Sequence, residues 1–158
     1  MAKSPARHAS LSAELEAALV RELVVEWQQL SWSHFHDVMR KPTFALTDVT
    51  SLLARWVKST RTIEFSRSMV LAQPWGVVVE VLKHEMAHQF VAEVLDIHDE
   101  PPHGPAFQRT CARLSIDAVA CGLPAPSGEV GSEQDRLLSK VSRLLALAES
   151  SNQHEAEA

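Results

Sequence analysis

His84-Glu85-Met86-Ala87-His88 and, past a polar stretch, His103-Gly104-Pro105-Ala106-Phe107 are the segments on which the reading of this chain turns. On a helix, residues four apart lie one above the other on one face, so His84 and His88 can present two imidazole nitrogens to one tetrahedral Zn²⁺. Glu85, on the next position round the helix, can hold and deprotonate a water beside the metal. A third protein donor completes an open site whose fourth position stays free for that water, and His103 is the candidate. The pattern is that of a zinc-dependent peptidase.

The flanking residues supply the helix that this chemistry needs. Trp75, Val78, Val79, Leu82, Met86, Phe90 and Val94 recur at helical spacing between about Gln73 and Leu95, and Pro74 suits the first turn. Neither Pro nor Gly interrupts Val77–Leu95, which places the histidines mid-helix. Asp96–Pro102 must then be a loop, because Pro101-Pro102 cannot continue a helix. Gly104-Pro105 opens a second helix, read as Gly104–Ala118, and the rigid Pro-x-x-Gly-Pro frame restrains His103 at its edge. Glu93, His98, Asp99 and Glu100 are rival third donors. Five residues past His88, Glu93 points away from the histidine face; His98 shares the loop with His103 and stays in contention.

The residues resemble a known family at this point. His84-Glu85-Met86-Ala87-His88 with His103-Gly104-x-x-Phe107 is similar to the SprT-like metallopeptidase domain, best known from Spartan-type proteases of DNA–protein crosslinks. Upstream, Leu52-Leu53-Ala54-Arg55-Trp56, Arg61-x-Ile63-x-Phe65-Ser66 and Trp75-x-x-Val78-x-x-Val81-Leu82-Lys83 resemble the family's approach to its zinc helix. The resemblance implies that His84, His88 and His103 bind Zn²⁺ and that Glu85 is the catalytic acid/base. It further implies a zincin-like (minimal gluzincin-like) core over residues 11–122, protein or peptide substrates, and an association with DNA. With Cys111 and Cys121 as its two cysteines, the chain cannot form the Cys₄ zinc ribbon that many members carry. Residues 132–158 instead resemble the beginning of a short bacterial helical domain of unknown function, through Leu144-Leu145-Ala146-Leu147-Ala148-Glu149-Ser150 and Asn152-x-His154-Glu155-Ala156-Glu157-Ala158. The sequence stops within that motif, so the natural protein is expected to continue.

Composition sets the limits. A chain of 158 residues, 46% of them hydrophobic, supports one ordinary core with an appendage. No apolar run is long enough for a membrane span, and Met1–Arg7 lacks the apolar segment of a secretory signal, so a cytoplasmic setting is expected. A net charge of −5 works against free-standing duplex-DNA binding; Arg55, Lys58, Arg61 and Arg67 form the densest basic stretch, more often a solvated face than a binding patch.

The remaining organisation reads as α+β, a small antiparallel-type sheet with packed helices and a C-terminal helix. Residues 1–10 are expected to be disordered. A helix begins near Ser12 and carries Leu15, Leu19, Leu23, Trp27 and Leu30; Pro42 precedes a short strand at Phe44–Thr47, and Asp48–Leu53 reads as a turn or short helix. Arg55–Lys58 and Thr62–Ser66 read as strands joined around Ser59-Thr60, with Ile63–Ser66 as an edge strand at the cleft's upper rim. Residues 123–131 are a linker and residues 132–158 open with a capped amphipathic helix. With no tyrosine available, His98, His34 or an arginine such as Arg61 is left to stabilise an oxyanion, or the metal does so alone. Two other readings stand beside the peptidase: a non-catalytic zinc-stabilised interaction module, and a nucleic-acid-associated recruitment module. Glu85 discriminates against the first, since a purely structural zinc site has no use for that carboxylate.

Overall fold

The computed structural model describes residues 5–118. In chain order they form helix α1 (Pro5–Phe35), strands β1 (Thr43–Thr47), β2 (Ala54–Val57) and β3 (Thr62–Ser66), then helices α2 (Arg67–Ala72), α3 (Trp75–Glu93) and α4 (Pro105–Leu114). The linker at 123–131, the helical piece at 132–158 and Cys121 lie outside the described residues. Among the described residues no helix is long and apolar enough to cross a membrane.

Helix α1 buries the stripe read from the sequence, Leu19, Leu23, Trp27 and Leu30. It begins at Pro5, ahead of the expected cap at Ser12 and inside the stretch 1–10 expected to be disordered. It stops where His36 and Asp37 adopt positive φ, a conformation that these two residue types tolerate better than most. The Asp37 amide then donates to the Ser31 carbonyl at 2.9 Å and the Ser31 hydroxyl to Asp37 Oδ1 at 3.3 Å.

The three strands are arranged β1-β3-β2. β2 and β3 form the expected antiparallel hairpin, but β1 runs parallel to β3, so the sheet is mixed rather than antiparallel. Burial explains the order. Thr62, Ile63, Phe65 and Ser66 are all buried, and a strand covered on both faces belongs in the middle of a sheet. The chain therefore crosses through residues 48–53, which form neither helix nor strand, and leaves room for β3 between β1 and β2. It follows that β3 is not the edge strand expected from the sequence; β1 and β2 are the edges, and β2 is the one that lines the cavity.

Helix α2 had no counterpart in the sequence reading. It turns directly out of β3 and buries Met69 and Val70. Pro74 then caps α3 from just outside its first turn, and α3 crosses the core with Val78, Leu82 and Met86 fully buried. Gly104 caps α4 and Pro105 takes the first helical position. α4 ends at Leu114, short of the expected Ala118, because Ser115 takes a left-handed conformation. The Ile116 amide closes that end on the Cys111 carbonyl at 2.9 Å, and Ile116 is buried.

Candidate metal centre and catalytic cleft

Helix α3 projects His84 and His88 from successive turns, and the loop entering α4 brings His103 to meet them. His84 Nε2 lies 3.1 Å from His88 Nε2 and 3.2 Å from His103 Nε2. One donor atom from each of the three lies within 4.8 Å of the others, and among the described residues this is the cluster able to hold a metal ion. Nitrogens at the corners of a tetrahedron around zinc, each 2.0–2.1 Å from it, stand about 3.3–3.4 Å apart, so the spacing fits. The chemistry of the donor set agrees, since three imidazoles are borderline ligands that suit zinc.

The protein prepares the imidazoles in three ways. Burial holds His84 below its ordinary pKa against the opposing pull of the Asp117 carbonyl, and burial first, then the two neighbouring histidines, pushes His88 down to about 3. Both therefore stay neutral near pH 7, the form that binds a metal. His84 Nδ1 faces the Asp117 carbonyl at 3.3 Å; its N–H donates there and leaves the Nε2 lone pair to the cluster. Phe107 forms the common wall. Its ring stacks on His88 at 4.2 Å and meets the edges of His84 at 4.8 Å and His103 at 5.0 Å, tilted. This packing is the physical content of the His-Gly-x-x-Phe string.

Gly104 is fixed by a close approach. A Cβ there would stand 2.9 Å from the Pro101 carbonyl oxygen and 3.1 Å from Glu100 Oε2. The Gly104 amide donates to that same carbonyl at 2.8 Å, and the Ala106 amide donates to Glu100 Oε2 at 2.6 Å. Glu100 thus serves as a carboxylate at the N-terminus of α4, where backbone donors lack helical partners. Two other rivals are engaged too: Glu93 accepts from Arg61 and Gln89, and His98 bridges Asp96 and Lys58; Asp99 lies outside the histidine cluster.

Glu85 is 4% exposed and lines the same cavity, of about 850 Å³, as His84, His88 and His103. Desolvation raises its carboxyl to about 7, opposed by a hydrogen bond from the Trp56 backbone. That contact places β2 directly against the face of α3 that carries Glu85. The Leu53 carbonyl accepts from the Ser66 amide at 2.9 Å, so Leu53, Arg55 and Val57 turn their main chains toward β3. Ala54 and Trp56 turn theirs to the open edge. Trp56 was not singled out as a site residue, and no local pattern would have found it, because its role depends on which strand ends up at the edge. Its indole Nε1 is buried without a hydrogen-bond partner among the described residues.

Of the groups considered for an oxyanion, His98 lines the cavity, whereas His34 pairs with Ser33 and Arg61 with Glu93 and the Arg40 carbonyl, both away from it. The basic stretch is largely neutralised. Arg55 pairs with Glu64 at 2.6 Å, Arg61 with Glu93, and Arg67 with Glu16 and Asp48.

Set against known proteins, residues 21–124 match the profile of the SprT-like family. No curated protein and no solved structure matches the chain.

Proposed function

The chain belongs to the SprT-like family, and from that premise we propose that it is a zinc-dependent endopeptidase with a zincin-like core and weak sequence preference. The observation that carries this reading is the convergence of three imidazole nitrogens beside a buried carboxylate in one open cavity. His84, His88 and His103 would hold the metal. Zinc bound there supplies Lewis acidity, polarising the scissile carbonyl and lowering the pKa of a water.

Glu85 takes a proton from the attacking water and returns it to the leaving amine nitrogen. Its apolar surroundings favour that exchange, since a carboxyl near pH 7 can both accept and release a proton at working pH. The Trp56 amide fixes the carboxylate from the β2 side. An extended substrate can pair with the main-chain groups of Ala54 and with the Trp56 carbonyl, which face the open edge beside the Trp56 amide held by Glu85. Main-chain pairing reads no side chains, hence the weak preference, which suits misfolded, DNA-bound or crosslinked proteins as substrates. A closed structural site would need neither Glu85 nor the cavity. Direct DNA attraction gets no support from a chain of net charge −5 whose cleft-side arginine is already paired.

The test is cleavage of a denatured protein, and self-cleavage, by zinc-loaded wild type beside Glu85→Gln, with and without single-stranded DNA. Cleavage by wild type that disappears in Glu85→Gln is the expected result. Equal zinc content with no cleavage by either protein would transfer the site to a non-catalytic interaction role.

A further inference from the structure

Lys58 immediately follows β2 and lines the same cavity as His84, Glu85 and His88. Its ammonium lies 2.5 Å from His98 Nδ1, a contact that joins the turn after β2 to the loop after α3 across the cleft. His98 Nε2 in turn lies 2.6 Å from Asp96 Oδ1. This chain of contacts fixes the roles: Nδ1 accepts from Lys58, and the Nε2–H donates to Asp96. An ammonium has three donors, and His98 takes one. Arg55, Arg61 and Arg67 each have a carboxylate partner; among the described residues Lys58 has none.

Position gives this cation its meaning. The Trp56 backbone bonds Glu85, which marks where along β2 the peptide bond is cut. Lys58 is two residues further, about 7 Å along a strand, and a substrate paired with the open edge advances by two residues over the same length. We propose that Lys58, seated on His98, is a carboxylate-recognising subsite that selects peptides carrying an acid group about two residues from the bond cut. The inference rests on the peptidase reading for its class of ligand and adds a specificity that main-chain pairing cannot supply. The carboxylate comes from an Asp or Glu side chain or from the C-terminus of the peptide. Nucleic-acid phosphate fits less well: counterion-driven binding needs several free cations together, and the arginines around Lys58 are neutralised.

Peptide binding to the zinc-loaded full chain carrying Glu85→Gln reads this separately from turnover. A neutral fluorescent peptide is scanned with a single Glu at each position against Gln at the same position, with free and amidated C-termini. One Glu position should bind about fivefold tighter than its Gln counterpart, the scale of an exposed ion pair. Adding Lys58→Met should erase the difference, Lys58→Arg should retain it, and Lys58→Glu should favour Lys at that position. A Lys58-dependent loss of affinity on amidation, with Glu and Gln peptides equivalent, would assign the subsite to the terminal carboxylate. Equal binding of Glu and Gln peptides at every position with no effect of amidation, no peptide binding, or a preference that survives Lys58→Met overturns the proposal. So does an oligothymidylate whose affinity depends on Lys58 while the peptide preference does not. Acid preference in binding without cleavage by the wild type would uphold the subsite and remove the peptidase activity.

Discussion

Glu85 is the residue on which the site's chemistry and its stability meet. In the metal-free protein its carboxyl is raised from 4.5 to about 7 by burial. A folded-state value above the unfolded one contributes stability that is fully present below about pH 4.5 and lost as pH rises through about 7. Glu85→Gln carries no such dependence. Chelated Glu85→Gln should therefore exceed chelated wild type in stability at pH 8 by on the order of 1–3 kcal/mol, the two converging near pH 4.5. Urea titrations at the two pH values measure this, and equal stabilities at pH 8 would show that the carboxylate is solvated. Phe107 gives a second prediction. Because it packs on all three imidazoles, Phe107→Leu should lower zinc affinity by about 10–100-fold, the range for groups that orient metal ligands. Competition with a chromophoric chelator reads that affinity, and an unchanged value would reduce Phe107 to ordinary core packing. His84 and His88 were legible because four-residue spacing is a property of any helix, and His103 because prolines and a glycine fix its loop. Trp56 was hidden, since its contact with Glu85 exists only in the assembled sheet.

Among the elements, long periodic ones could be read and short ones could not. α1 and α3 each carry a sustained apolar stripe, whereas α2 is six residues between a strand and a proline and has too few positions to show a period. Strand order failed for a related reason: alternation identifies strands but not their neighbours, so the parallel β1–β3 pairing had no local signal. A polar link within the largely apolar joint between α1 and α3 was equally invisible. Gln89, fully buried, accepts from the Trp27 indole at 3.2 Å and donates to the Arg40 carbonyl at 2.8 Å and to Glu93 at 3.0 Å. Arg61, at positive φ at the end of the β2–β3 turn, donates to the same Glu93. Gln89→Leu should cost about 1–3 kcal/mol, because it leaves the buried Trp27 indole N–H without its acceptor, with zinc stoichiometry unchanged. Denaturant unfolding checks the first part and metal analysis the second. A loss below about 0.5 kcal/mol would mean that the network is open to water.

At the scale of the molecule, the three nitrogens join α3 to the loop that enters α4. His84 and His88 belong to α3, His103 to the loop that caps α4, and Phe107 and Cys111 are the chief apolar side chains that α4 buries in the core. A metal bound by the folded protein and not by the unfolded chain stabilises it by RT ln(1 + [L]/Kd), about 4 kcal/mol when free metal is a thousandfold above Kd. Removing zinc should lower Tm by at least about 10 °C for a domain of this size. The loss should also be uneven. Amides of α4 and of the Asp96–Gly104 loop should lose hydrogen-exchange protection first, while α1 and the first half of α3, held by Leu23, Val78 and Leu82, keep theirs until global unfolding. Calorimetry before and after chelation gives the shift, and exchange on the chelated protein gives its location. A Tm unchanged by chelation would mean that the histidine cluster holds no metal worth its stability, and the peptidase reading would lose its premise. A uniform loss of protection would make zinc a support of the whole core rather than the pin that sets His103 beside α3.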